Sequence, residues 1–163
     1  MEEKISETHV KKLRNNYIKS TPQQRLHIIK QLINNSSLDI HKFLIKAFGV
    51  EALARSILLQ INIDNKIKEK KLILKKEIDI FKEKEYEKIK RTALDELIKE
   101  IYKIKKININ SVFNQEILEI LPLIREYRNL LVHESTFLRA GFTLRLIEFI
   151  DNIFKELTLL TKK

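Results

Sequence analysis

Apolar residues recur along this chain at spacings of three and four, the period of a helix with one buried face. Thr21-Pro22-Gln23-Gln24 is a helix start, with Thr as N-cap, Pro at the first helical position and Gln at the capping-box position, leading into Leu26, Ile29 and Ile33. Asn34-Asn35-Ser36-Ser37 ends that helix and caps the next, whose apolar positions are Ile40, Phe43, Leu44 and Phe48. Gly49 is expected to stop it. A further apolar stretch over 53–61 gives way to a polar break over 62–66, so the first third reads as short helices with polar interruptions.

Residues 66–106 are rich in Lys and Glu, with apolar residues at helical spacing whose phase shifts between Phe81 and Tyr86. That pattern fits either one bent helix or two helices in series. Alternating signs such as Lys82-Glu83-Lys84-Glu85 mark a solvated face more than a phosphate-tracking one. Residues 108–111 form a loop with N-cap chemistry. A helix over 112–134 follows, apolar almost all round and therefore buried on more than one side. Pro122 inside it should bend or break it. Ser135 and Thr136 can cap a last amphipathic helix over 137–160.

Composition sharpens this picture. Two glycines and two prolines in 163 residues leave little turn chemistry for hairpins, which points to an all-α fold. We expect a single helical domain over 1–163: a helical bundle over 66–160 with the informative helix near its C-terminal end, preceded by accessory short helices over 1–62. The absence of cysteine excludes a disulfide framework, a thiol nucleophile and a cysteine-type zinc site; four scattered histidines make a metal site unexpected. Neither metal nor cofactor is expected. The formal charge of +10 invites a polyanion, although the abundance of Lys, Ile and Asn is also what an AT-rich coding sequence produces. No apolar run approaches a membrane span and the first residues lack a leader's apolar core, so a cytoplasmic protein without a membrane partner is expected.

Chemistry concentrates in the helix over 112–134. At about 100° per residue, Arg128 falls inside the arc of Ile117, Leu121, Ile124, Leu131 and Val132, where an apolar side chain belongs. A guanidinium there needs a fixed partner, a wet cleft or an anionic ligand, because burying it unpaired costs several kcal/mol. Asn129 and His133, four apart, share the neighbouring flank, with Arg125 on the near side. The plain alternatives are that Arg128 meets a helix C-terminus or a carboxylate such as Glu126 or Glu148, and that His133 faces solvent. Together, however, an Arg in an apolar arc and a nearby His provide a cation for developing charge and a base near neutral pH, the needs of phosphoryl chemistry without metal.

The stretch Arg128-Asn129-Leu130-Leu131-Val132-His133 resembles the R-x4-6-H signature of the HEPN superfamily, small helical domains found in many prokaryotic ribonuclease toxins. The longer run ending at Glu134 is similar to the HepT-type toxins of toxin–antitoxin pairs, with Ser135 where those toxins usually carry Tyr. The resemblance covers roughly the last 80 to 100 residues. It implies a homodimer in which two motif helices form one metal-independent endoribonuclease site acting on RNA. His133 would then be the base, Arg128 the charge stabiliser, Asn129 the orienting group and Arg125 an additional phosphate contact, with a cognate antitoxin or nucleotidyltransferase as possible partner. Leu123 and Leu130, off the main arc, are the expected dimer contacts, and Arg128→Ala is expected to remove cleavage without disturbing the fold. Two other readings stay open: a non-catalytic HEPN-like module that binds nucleotide, RNA or a partner, and a helical interaction protein that uses 66–106 as a coiled coil.

Overall fold

The helix start at Thr21 forms as its residue types require. In the computed structural model, which describes residues 7–34, 39–133 and 140–162, the Gln24 amide donates to Thr21 Oγ1 at 3.2 Å and the Thr21 amide to Gln24 Oε1 at 2.8 Å. Each side chain thus satisfies one of the amides that a helix start leaves open. Among the described residues the secondary structure is entirely helical: α1 (Glu7–Lys19), α2 (Pro22–Asn34), α3 (Asp39–Lys68), α4 (Lys75–Ile89), α5 (Leu94–Lys105), α6 (Ile109–Val112), α7 (Gln115–His133) and α8 (Ala140–Thr161). The all-α reading holds.

The largest departure from the sequence reading is α3, 30 residues without interruption. Gly49 does not stop it, and the polar residues 62–66 do not break it. A glycine inside a helix costs about 1 kcal/mol, whereas each fully buried Val, Leu, Ile or Phe side chain contributes about 1.5–3 kcal/mol, and α3 buries Phe43, Val50, Leu53, Ile57 and Leu58. Gly49 serves packing instead: a Cβ there would lie 2.9 Å from Cγ2 of Ile29, so the missing side chain lets α2 approach. Farther along, Asn62 Nδ2 donates to Glu85 Oε2 of α4 at 3.3 Å while Ile61 and Ile63 stay buried. The polar residues form the rim of a helix–helix contact.

α3 packs against α2, α4, α5, α7 and α8. The main core combines its apolar face with Leu97, Ile98 and Ile101 of α5, Ile117, Leu121 and Ile124 of α7, and Leu146, Ile150 and Ile153 of α8. A smaller cluster joins Ile18 of α1 to Leu59 and Ile63 of α3, with Phe81 and Tyr86 of α4 against it. The segment 66–106 resolves into two helices in series: α4 begins at Lys75, and the break lies at 90–93, after the phase shift. Residues 109–112, expected as loop and helix start, form the separate short α6, capped by Asn108 accepting from the Asn110 amide at 3.0 Å. α7 starts only at Gln115, where Asn114 accepts from the Ile117 amide at 2.9 Å, because Phe113 turns into the core between them. Pro122 is exposed and α7 runs through it. The proposed caps Ser135 and Thr136 lie outside the described residues, and α8 is described from Ala140. No described helix is long and apolar enough to cross a membrane.

Candidate functional site

Ile117, Leu121, Ile124 and Arg128 form one buried line down α7, so the arginine occupies the fourth rung of an otherwise apolar ladder. It is 7% exposed, and Nη1 donates to Glu51 Oε2 of α3 at 2.6 Å. The other carboxylate oxygen of Glu51 accepts from Arg55 Nη2 at 3.0 Å. Arg55 continues the chain of contacts, its Nε donating to the Ile89 carbonyl at the end of α4 at 3.4 Å. The guanidinium of Arg128 also lies 4.3 Å from the ring centre of Phe48, a cation–π stack. Its Nη2 donates to Asn129 Oδ1 at 3.4 Å, and its Nε is buried with no partner.

The partner of Arg128 is therefore Glu51 rather than the Glu126 or Glu148 weighed from sequence; both of those are exposed. Glu51 is itself only 8% exposed. The signal was present, since Glu51 interrupts the apolar face Ala47, Val50, Ala54 and Leu58 as Arg128 interrupts that of α7. Two interruptions on two helices, of opposite charge, are natural partners because neither can be buried alone. With Arg55 included, two guanidinium groups share one carboxylate, leaving a surplus positive charge in the core margin.

Of the remaining candidates, Arg125 turns to the α4–α5 turn, where Nη1 donates to the Arg91 carbonyl at 3.5 Å. Asn129 is half-buried beside Arg128. His133 is the last residue of α7, and its side chain lies outside those described, as does that of Leu130. Leu123 of α7 is exposed, and so is Val132, which the apolar period places on the buried arc: the arc is covered from Ile117 to Arg128 and at Val132 it is open. Near Phe48 a groove of about 310 Å³ runs between α2 and α3, lined by Arg25, Ile28, Leu44, Ile45 and Ala52. Tyr17 anchors α1 against α3 by donating to the Ala52 carbonyl at 2.9 Å. Burial raises its hydroxyl above the ordinary value, while Arg55 and Arg25 oppose that shift.

Among the described residues no cluster of three or more His, Asp or Glu side chains could hold a metal ion. The arrangement can do one thing chemically that an apolar helix face cannot: it holds a fixed, partly compensated guanidinium pair next to an amide side chain, near the end of a helix that carries a histidine. Comparison of the chain with protein-family models, with curated proteins and with solved structures finds no match.

Proposed function

We propose that this protein is a HEPN-type endoribonuclease, a toxin or phage-defence effector, that cleaves RNA by attack of the substrate's own 2′-OH. The observation that supports this reading best is the Arg128 cluster: a guanidinium held at 7% exposure with Glu51 shared between it and Arg55, next to Asn129 and one and a half turns before His133. Surplus positive charge in a poorly hydrated place attracts a phosphate and stabilises the charge that grows on it during reaction. In this reaction His133 accepts the proton of the 2′-OH, O2′ bonds to phosphorus, and the P–O5′ bond breaks, with the leaving oxygen taking up a proton. Arg128 stabilises the phosphorane and Asn129 orients it. The products are a 2′,3′-cyclic phosphate and a 5′-OH. No water need be activated, which is the step that usually calls on a metal ion. Exposed Leu123 on α7, which shares a helix face with Leu130, provides apolar surface for a second copy that would complete a two-fold site.

End-group analysis of a defined oligonucleotide tests the reading. Cyclic-phosphate ends that persist in chelator, vanish in His133→Ala and vanish at a single position carrying deoxyribose support it. Products with 5′-phosphate ends, or cleavage equal in His133→Ala, exclude it. One observation favours a second reading, a non-catalytic helical interaction module: Glu51 already satisfies the charge of Arg128 within the fold. Under that reading neither His133→Ala nor Asn129→Ala changes RNA cleavage, because there is none to change.

A further inference from the structure

The turn between α3 and α4 carries the two most exposed large apolar side chains on the described surface, Ile73 at 76% and Leu74 at 63%. Around them stand Lys66, Lys68, Lys70, Lys71, Lys75 and Lys76 against two acidic residues of the turn, Glu69, which pairs with Lys71 at 3.3 Å, and Glu77. The turn is built at both ends. The Lys71 amide donates to the Lys66 carbonyl at 3.2 Å and the Lys70 amide to the Ile67 carbonyl at 3.0 Å, a Schellman closure of α3 with Lys70 in the left-handed region at φ 57°. On the other side Glu77 accepts from the amides of Ile73 and Leu74, both at 3.3 Å, and so fixes the backbone from which the two side chains project.

Three features of this tip work against the stability of the fold. The left-handed conformation crowds the Cβ of a non-glycine residue against the following carbonyl oxygen, and Lys occupies it. Lys75 and Lys76 sit in the first turn of α4, at the positive end of the helix dipole, where carboxylates are favoured. Ile73 and Leu74 face water. The dipole explains Lys66 and Lys68 in the last turn of α3; it cannot explain Lys75 and Lys76. Lys105, at the C-terminal end of α5, borders the same hollow as Ile67, Lys68 and Asp64, so on that side one carboxylate stands among the lysines.

We infer that this tip is a docking point for an anionic lipid surface, with Ile73 and Leu74 entering the headgroup–acyl boundary and the lysines resting on the phosphates. The charge is supplied by lysine alone, which attracts a diffuse anionic surface without the bidentate geometry that arginine gives to one fixed carboxylate or phosphate. No aromatic ring lies within 66–76 for a nucleobase to stack on, while two aliphatic side chains gain only where there is hydrocarbon to enter. The tip is also remote from the Arg128 cluster: Glu51 and Lys68 are 17 positions apart on α3, about 25 Å along the helix. The inference stands apart from the ribonuclease reading, since a chain bound this way leaves Glu51 and Arg128 untouched, and it departs from the expectation of no membrane partner, which rested on the lack of a spanning segment and not on surface binding.

The test is flotation of the full chain with vesicles of phosphatidylcholine alone and of phosphatidylcholine with phosphatidylglycerol, at physiological ionic strength. Binding is expected to the anionic vesicles only. Lys75→Glu with Lys76→Glu should weaken it by about 25-fold or more, because each lysine near such a surface is worth about fivefold. Ile73→Ser with Leu74→Ser should weaken it by about tenfold or more, with the thermal melt unchanged. Because the chain has no tryptophan, Leu74→Trp gives a single reporter, and its emission should shift to the blue on anionic vesicles and be quenched by brominated lipid. No binding, binding indifferent to Ile73→Ser with Leu74→Ser, or an unquenched reporter would each overturn the inference. So would lysine reversals that weaken RNA or protein binding and leave vesicle binding intact.

Discussion

The middle of α3 and its C-terminal end place charge in opposite settings. In the middle, Glu51 is buried and paired with two arginines, and nearly every surrounding side chain is apolar and covered. At the end and through the turn into α4, six lysines share the surface with two bare aliphatic side chains. Water screens the second set, so each charge there contributes little to stability and is free to serve association. In the middle the low polarity makes each charge depend on its partner, so any function there is inseparable from folding. Arg128→Ala, expected to spare the fold, leaves Glu51 paired with Arg55 alone, so its stability measures how much the second guanidinium contributes.

The sharpest way to break the contrast is Glu51→Ala. It leaves Arg128 and Arg55 without their shared carboxylate, and chemical denaturation should show a loss of about 3–5 kcal/mol. A loss near zero would mean that the pair is hydrated and that the middle of α3 behaves like its end. Next comes Gly49→Val, which forces new atoms into the space taken by Ile29 and should cost about 1–3 kcal/mol, part of it recovered when combined with Ile29→Ala.

A third test uses pH. Burial, with a smaller contribution from Glu156, pushes the Tyr102 hydroxyl up to about 12. The unfolded chain therefore ionises this tyrosine first as pH rises past about 10, and the stability difference is whole below that point and lost between about 10 and 12. Urea melts across this window should show a slope of up to about 1.4 kcal/mol per pH unit that flattens in Tyr102→Phe.

At the tip the effects should be smaller. Lys70→Gly removes left-handed strain and should stabilise by about 1 kcal/mol. Ile73→Ser with Leu74→Ser should move stability by less than about 0.5 kcal/mol, the ordinary range for surface changes. A large loss there would show that the two side chains are packed, and would remove the ground for a docking role.

The local instructions were legible because they act over three or four residues. Thr21 with Gln24 forms its capping box, Asn108 uses the N-cap chemistry its residue type offers, and the apolar periods of α5, α7 and α8 bury the faces they draw, Val132 excepted. All of that follows from neighbours in sequence, and so does the sequence suspicion of Arg128: a charge on an apolar arc is visible on one helix alone. What needed the assembled fold was anything settled between elements far apart. Gly49 is a helix stop by local propensity and a packing contact once α2 lies across it, because the burial gained along α3 exceeds the cost of one glycine. The polar run 62–66 is a break by composition and a rim once α4 folds back to offer Glu85. Glu51 and Arg128 are 77 positions apart, and only the crossing of α3 and α7 makes each the answer to the other's burial, since Coulomb attraction in a poorly hydrated core acts through space and leaves no mark along the chain.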